Sequence, residues 1–302
     1  MTKKDKPMAQ VRRAVVAGSF YEGNAEALRV QVESCFLHKF GPKKLPTINQ
    51  NGPRQILGLI CPHAGYIYSG AVAANAFFFL AGDGKPNTFV ILGPNHTGHG
   101  TGLSTMNQGT WRTPLGEVEI DTELANAIAA ETDCLDIDEV AHKHEHSIEV
   151  QLPFLQYIYG KEFKFVPICF LMQDLESAVE IGRALAETLA NKNAVVIASS
   201  DFTHYESQAS VNRKDADALK AIEALNEVQF YQILETQNVS ACGYAPIAAL
   251  MTYTKAVGAI KAEILSHQTS GDITGDNTSV VGYAAAIIKK QRSLSRQVKS
   301  LQ

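Results

Sequence analysis

The chain has 302 residues, 45% hydrophobic and 19% charged, the balance of a globular protein able to bury a large core. Its formal net charge of -4 gives no electrostatic reason to bind along a nucleic-acid backbone, and no apolar run nears the roughly 20 residues of a membrane helix. Five widely spaced cysteines without a CxxC pair exclude a disulfide framework and a zinc ribbon and fit a reducing cytoplasm, while the apolar run Ala14 to Ala17 after the basic start is too short for a secretory leader.

One domain is expected over residues 11–290, with residues 1–10 and 291–302 as polar tails, because composition does not change across the Pro/Gly/Asn-rich loop Gly41 to Pro53. In chain order, Asn24 caps a helix expected over Ala25 to His38, and a strand follows at Ile56 to Cys61. Ser69 marks the start of a helix over Gly70 to Leu80, and Thr88 to Leu92 is the next strand. The run TMNQGTWRTPLGEVEI alternates and turns like a hairpin insertion, then Asp121 caps a helix over Thr122 to Glu131. A further helix follows the histidine-rich AHKHEHS, with Ser147 as its candidate cap. Strands at Phe165 to Phe170 and Val195 to Ser199 flank a helix over Leu175 to Asn191 capped by Asp174. A helix over Asn212 to Leu225, a second from Ser240 to about Tyr253, and strands at Ala262 to His267 and Val280 to Ile288 complete the pattern. Such alternation predicts an α/β fold with a central mixed, largely parallel sheet covered by helices on both faces.

Three strands run directly into polar turns that carry histidine: LGLICPHAGYIYSG, TFVILGPNHTGHG and AVVIASSDFTHYES. Ligands of open α/β sheets bind beyond the carboxyl ends of the strands, so His63, His96 and the pair Asp201 and His204 should share one rim and form a metal or catalytic site. Cys242, expected at a helix start, reads either as a small buried apolar residue or as a thiolate whose pKa the helix dipole lowers. His142, His144 and His146 alternate; in an extended strand they would face one side, but HxHxH is a weak zinc signal and a polar loop explains it equally. No separate zinc site is expected there. The chain lacks a GxxxxGK[ST] loop, a GxGxxG turn and a GxSxG elbow, which weighs against nucleotide binding and serine hydrolysis.

Taken in order, CPHAGYIYSG, ILGPNH, EHSIEVQLPFLQ, ASSDFTHY, ACGYAPI and SVVGYAA closely resemble the Memo family over about residues 11–288. Prokaryotic relatives in that family are known as protein B of the AmmeMemoRadiSam system. The resemblance implies a fold similar to class III extradiol dioxygenases, which use non-haem iron. It further implies metal ligands at His63, His96 and Cys242, acid/base and supporting roles for His204 and Asp201, and a pocket lined by Glu145, His146 and Tyr66. The dioxygenases use a carboxylate where this chain has Cys242, a departure that argues against ring cleavage and for Fe(II) or copper, since thiolate is softer and itself oxidisable. Two functions are compatible with this reading: a metal-dependent redox protein acting on a small molecule, or a scaffold whose pocket recognises a peptide or protein partner. The resemblance also allows a radical-SAM partner.

Overall fold

The computed structural model describes residues 10–291, so the expected tails, apart from Gln10 and Gln291, lie outside the described residues. In chain order the elements are β1 (Val11–Arg12), α1 (Ala25–Leu37), β2 (Ile56–Cys61), α2 (Tyr66–Asp83), β3 (Thr88–Pro94), β4 (Leu103–Thr105), β5 (Thr110–Thr113) and β6 (Gly116–Ile120). There follow α3 (Thr122–Ala130), β7 (Asp136–Ile137), short 3-10 turns at Val140–His142 and Glu149–Gln151, α4 (Leu152–Tyr159), β8 (Lys164–Phe170), α5 (Leu175–Leu189) and β9 (Ala194–Ser199). The last third holds β10 (His204–Glu206), α6 (Gln208–Glu223), α7 (Glu227–Gln237), α8 (Tyr244–Ala256), β11 (Ala262–Thr269), α9 (Gly271–Thr274) and β12 (Val280–Lys289).

Side-chain caps explain several of these starts. Asn24 accepts from the amides of Glu26 and Ala27, Asp121 from Leu124 and Asp174 from Ser177, each filling an orphan donor of the first helical turn. Other expected caps are not caps. Helix α2 begins at Tyr66 behind Gly65, and the Ser69 hydroxyl donates to the Ala64 carbonyl. Ser147 donates to the Pro94 carbonyl, and Ser240 accepts from the His204 amide.

The described strands form one mixed sheet in the order β1-β5-β6-β8-β3-β9-β2-β12-β10, with β4 beside β8 and β11 beside β12. Its centre, β8-β3-β9-β2, is parallel. Strand β12 closes that block antiparallel against β2, and the expected hairpin, β5 with β6, extends the sheet on the far side through β8. Central strands β3 and β9 are buried along their whole length, as their near-continuous apolar sequence requires when both faces are covered. Helices α1, α2 and α4 meet through Phe36, Phe77 and Phe154, whereas α5 packs with α8. The result is a single-domain α/β fold with a mostly parallel sheet flanked by helices. No described helix is long and apolar enough to cross a membrane.

Candidate metal centre

Parallel β2 and β3 sit on either side of β9, so all three deliver their carboxyl ends to one rim. His63 leaves β2 two residues after its end, His96 leaves β3 two residues after its end, and Asp201 does the same from β9. The segment Glu145 to Ser147 lies across this rim. It can lie close because Gly93, near the end of β3, has no side chain: a Cβ there would stand 2.5 Å from Ser147 Oγ.

Ligand atoms of His63, His96 and His146 all lie within 4.8 Å of one another. The rings of His96 and His146 stack at 4.7 Å, and His63 meets them edge-on at 5.2 and 5.5 Å. Cys242 Sγ is 3.3 Å from His63 Nε2 but is not part of that tight group. Of the expected ligands, the structure therefore gathers His63 and His96, sets Cys242 against His63 alone, and adds His146, expected only as a lining residue.

Each of the two shared histidines is held through Nδ1. His96 Nδ1 is 2.9 Å from Glu145 Oε1, and the His96 amide donates to Oε2 of the same carboxylate. Carboxylates only accept, so Nδ1 carries a proton, and Nε2 holds the lone pair whenever the ring is neutral. His63 Nδ1 faces Ser199 Oγ at 2.9 Å, and its amide donates to Asp201 Oδ1 at 2.9 Å. Nε2 is the ring atom that each leaves without a carboxylate or hydroxyl partner.

The two supports differ in charge, and the rings respond. Burial would push Glu145 up, but hydrogen bonding from His96, the nearby His96 and His146 charges and the Ser147 amide hold it down at about 2. Burial also opposes charge on His96, yet the Glu145 hydrogen bond and charge win and raise its pKa above the ordinary imidazole value. Burial drives His63 well below that value, with His146 and His96 adding to the effect, and burial likewise lowers His146. Asp201 is pushed up by burial against the stabilising hydrogen bond from the His63 amide.

Cys242 corrects one expectation. It precedes the Gly243 cap of α8 and stands outside the helix, clasped to Asp201 by two bonds: its amide donates to the Asp201 carbonyl and the Asp201 amide donates to Sγ, both at 3.2 Å. Burial, with the Asp201 charge, raises its pKa against the hydrogen bond from the Asp201 amide and so disfavours the thiolate. Asp201 likewise does not orient His204. That ring donates from Nδ1 to the Ser240 carbonyl at 2.8 Å, which leaves its Nε2 as the atom able to accept a proton.

Other expectations resolve by packing. Tyr66, expected to line the pocket, is 3% exposed, packs on Tyr21 and Phe154 and donates its hydroxyl to the Val150 carbonyl at 2.6 Å. The three alternating histidines do not share a side, because the chain turns there: His142 is buried with Nε2 at 3.2 Å from the Ser104 carbonyl, His144 is exposed, and His146 reaches the rim. Beneath this turn lies a buried ion pair of Arg12 and Glu149 that sequence reading missed. Arg12 also donates to the carbonyls of His142 and Glu145, while Glu149 accepts from the amides of Val15 and Val16 and from the Tyr21 hydroxyl. Gln151, Ser199 and Ser147, also missed, support the histidines from inside. The only signal for Gln151 and Ser199 is polarity within otherwise apolar runs, VQLPF and VVIASS, and Ser147 carried only the signal of a candidate cap.

Fold and rim together define an α/β protein with an imidazole-lined site at the carboxyl edge of its parallel strands. A family model described as "Memo-like protein" matches residues 12–287. A MEMO1 family protein of Methanopyrus kandleri is 50% identical over 281 residues, covering 92% of this chain and 99% of its own. One from Methanothermobacter thermautotrophicus is 47% identical over 276 residues (91% and 99%), and one from Sulfolobus acidocaldarius 46% over 277 (90% and 97%). An uncharacterized protein of Escherichia coli K12, with a crystal structure, aligns at a TM-score of 0.45 and 12% identity over 78% of this chain and 100% of its own. The chain belongs to the Memo family.

Proposed function

We propose that this protein binds one redox-active transition metal, Fe(II) or copper, through His63 and His96, and serves as a metal-dependent oxidoreductase with a dioxygenase-like site. One observation carries the reading: Nδ1 of His96 is engaged by Glu145 and Nδ1 of His63 by Ser199, so both rings leave Nε2 for a ligand, and ligand atoms of His63, His96 and His146 lie within 4.8 Å of one another. Uncharged nitrogen donors held in this way suit iron and copper, and so does a soft sulfur at their edge. Cys242, implied by the family resemblance, and His146, favoured by proximity, compete for the third position. When bound, such a metal supplies electron transfer and activation of oxygen or of a coordinated substrate.

The chain's own groups have definite tasks in this reading. Glu145 and Ser199 aim the two imidazoles, Asp201 fixes the backbone of His63, and His204 Nε2 takes a proton from a phenolic or similar group brought to the rim. The substrate would be a small molecule, with a radical-SAM partner implied by the resemblance, and unpaired cysteines fit a cytoplasmic setting. Tyr205 favours the scaffold reading as an alternative: it is 78% exposed beside His204 with φ 58°, a strained backbone for a bulky residue and suited to a recognition contact.

Metal analysis of protein purified without oxygen tests the proposal. About one equivalent of iron or copper, lost in His63→Ala and His96→Ala, together with oxygen uptake in the presence of a reductant or a phenol, is expected. A chain that takes up no metal from Fe(II) or Cu(I) titrations refutes it, and metal without turnover favours the scaffold. Cys242→Ser and His146→Phe decide the third donor by which of them weakens binding more.

A further inference from the structure

Ser199 is the last residue of β9 and is wholly buried, and its hydroxyl has three neighbours. The Ser147 carbonyl lies 2.7 Å away, Gln151 Nε2 2.9 Å away and His63 Nδ1 2.9 Å away. A hydroxyl carries one proton and two lone pairs. The Ser147 carbonyl can only accept. The Gln151 amide nitrogen can only donate, and its orientation is set by its other contact: the same Nε2 is 3.0 Å from the Pro62 carbonyl, where a flipped amide would put oxygen against oxygen. This orientation leaves Gln151 Oε1 buried with no partner, so it is held by the donors on the other side.

His63 is the one neighbour able to play either part. If it donates from Nδ1, the Ser199 proton goes to Ser147 and all four groups are satisfied. If it accepts at Nδ1, the Ser199 proton is diverted and the Ser147 carbonyl loses it.

We infer that Ser199 is a positioning residue for His63, fixing the Nδ1–H tautomer by its single proton so that the Nε2 lone pair stands toward Cys242 and the imidazole cluster. Ser147 is the hub of the arrangement: its carbonyl takes the Ser199 proton, and its amide donates to Glu145 Oε1, the carboxylate oxygen that holds His96. One peptide segment thereby couples the orientation of both rings. The consequence for metal binding rests on the proposed function; the tautomer itself does not.

The tautomer is read directly by long-range proton–nitrogen NMR correlation of the metal-free protein labelled at its nine histidines, with His63 assigned from His63→Gln. The expected spectrum has the His63 proton on Nδ1 alone. Ser199→Ala should leave a mixture of tautomers and weaken Fe(II) or Cu(I) binding about 10- to 100-fold. Ser199→Thr, which keeps the hydroxyl, should restore both readouts. Gln151→Met should keep the tautomer, because the Ser147 carbonyl still captures the proton.

A His63 proton on Nε2 in the unaltered protein overturns the inference, and this measurement decides even if Ser199→Ala fails to fold. So does a Ser199→Ala variant with unchanged tautomer and metal affinity. Failure of the unaltered chain to bind metal would sink the functional reading instead, with the spectrum still ruling on the tautomer.

Discussion

His63 and His96 occupy equivalent places, each two residues beyond a parallel strand, yet the protein supports them by different chemistry. His96 leans on a buried carboxylate, Glu145, which also accepts from the amides of His146 and Ser147. His63 leans on the neutral hydroxyl of Ser199. A charged support strengthens the hydrogen bond and favours protonation of the ring, whereas a neutral support in a dry setting keeps the ring uncharged. The pair thus combines one ring whose protonation burial disfavours with one whose protonation Glu145 favours.

Breaking the charged support should have the largest effect. Glu145→Ala leaves four donors at the rim without an acceptor, the amides of His96, His146 and Ser147 and the His96 ring, and we expect a stability loss of about 3 kcal/mol or more, measured by urea denaturation. Metal affinity should fall about 100-fold. Loss of under 1 kcal/mol would mean that water reaches this carboxylate and that its role is minor.

Replacing the charge while keeping the shape sharpens the contrast through pH. In metal-free protein, Glu145 is held at about 2, so its contribution to stability is present above the unfolded value of roughly 4.3 and is lost as pH falls toward 2. His63 is depressed, so the unfolded chain binds its proton first and stability falls as pH drops below about 6.5. His96 is raised and acts oppositely: its contribution is present below about 6.5 and disappears as pH rises through its higher folded value. Glu145→Gln removes the compensation from His96, so unfolding free energy should fall more steeply between pH 7 and 5 than in the unaltered protein. An identical slope in the two proteins would show that His96 is not raised by Glu145.

Much of the fold was legible because four central strands are continuous apolar runs that end in turn residues, and three helices begin at Asn24, Asp121 and Asp174 with side-chain caps. Helix α2 was placed late because it starts behind a glycine with no polar cap, and α7 was missed because its apolar face is short, with Phe230, Ile233 and Leu234 at helical spacing but only Phe230 fully buried. His63 and His96 could be read as partners from their shared position after strand ends. His146 was grouped with the wrong neighbours because the period-2 reading assumes an extended chain, and this stretch turns. The inner supports were illegible for another reason. Ser199 joins His63, Ser147 and Gln151 across separations of 136, 52 and 48 residues, and no local pattern encodes such meetings.

Gly93 permits the approach that makes those meetings, and Gly93→Ala tests it. The added Cβ would stand 2.5 Å from Ser147 Oγ, 2.8 Å from Ile148 Cγ1 and 3.2 Å from Ser147 Cβ; the hydroxyl can turn away only by giving up its bond to the Pro94 carbonyl, and the Cβ contact presses on the segment that supports both histidines. Overpacking of this kind costs about 1–3 kcal/mol. Thermal unfolding should show that loss, and metal binding should weaken with it, since both supports pass through Ser147. Lost stability with undiminished affinity would show that the rim moves as a rigid unit.

The smallest effect is expected from the Ser147 side chain itself. Its hydroxyl donates to the Pro94 carbonyl at 2.8 Å, while its amide and carbonyl carry the bonds to Glu145 and Ser199. Ser147→Ala deletes only the first of these. A typical hydrogen bond contributes about 1 kcal/mol net, and the buried Pro94 carbonyl left behind could raise the loss to roughly 2 kcal/mol. Metal affinity should stay within about threefold, because the backbone groups that link the two histidine supports are untouched. A loss of affinity as large as that from Ser199→Ala would mean that the hydroxyl, acting through Pro94 at the end of β3, helps to set His96, and that the two rings are coupled through the side chain as well as the backbone.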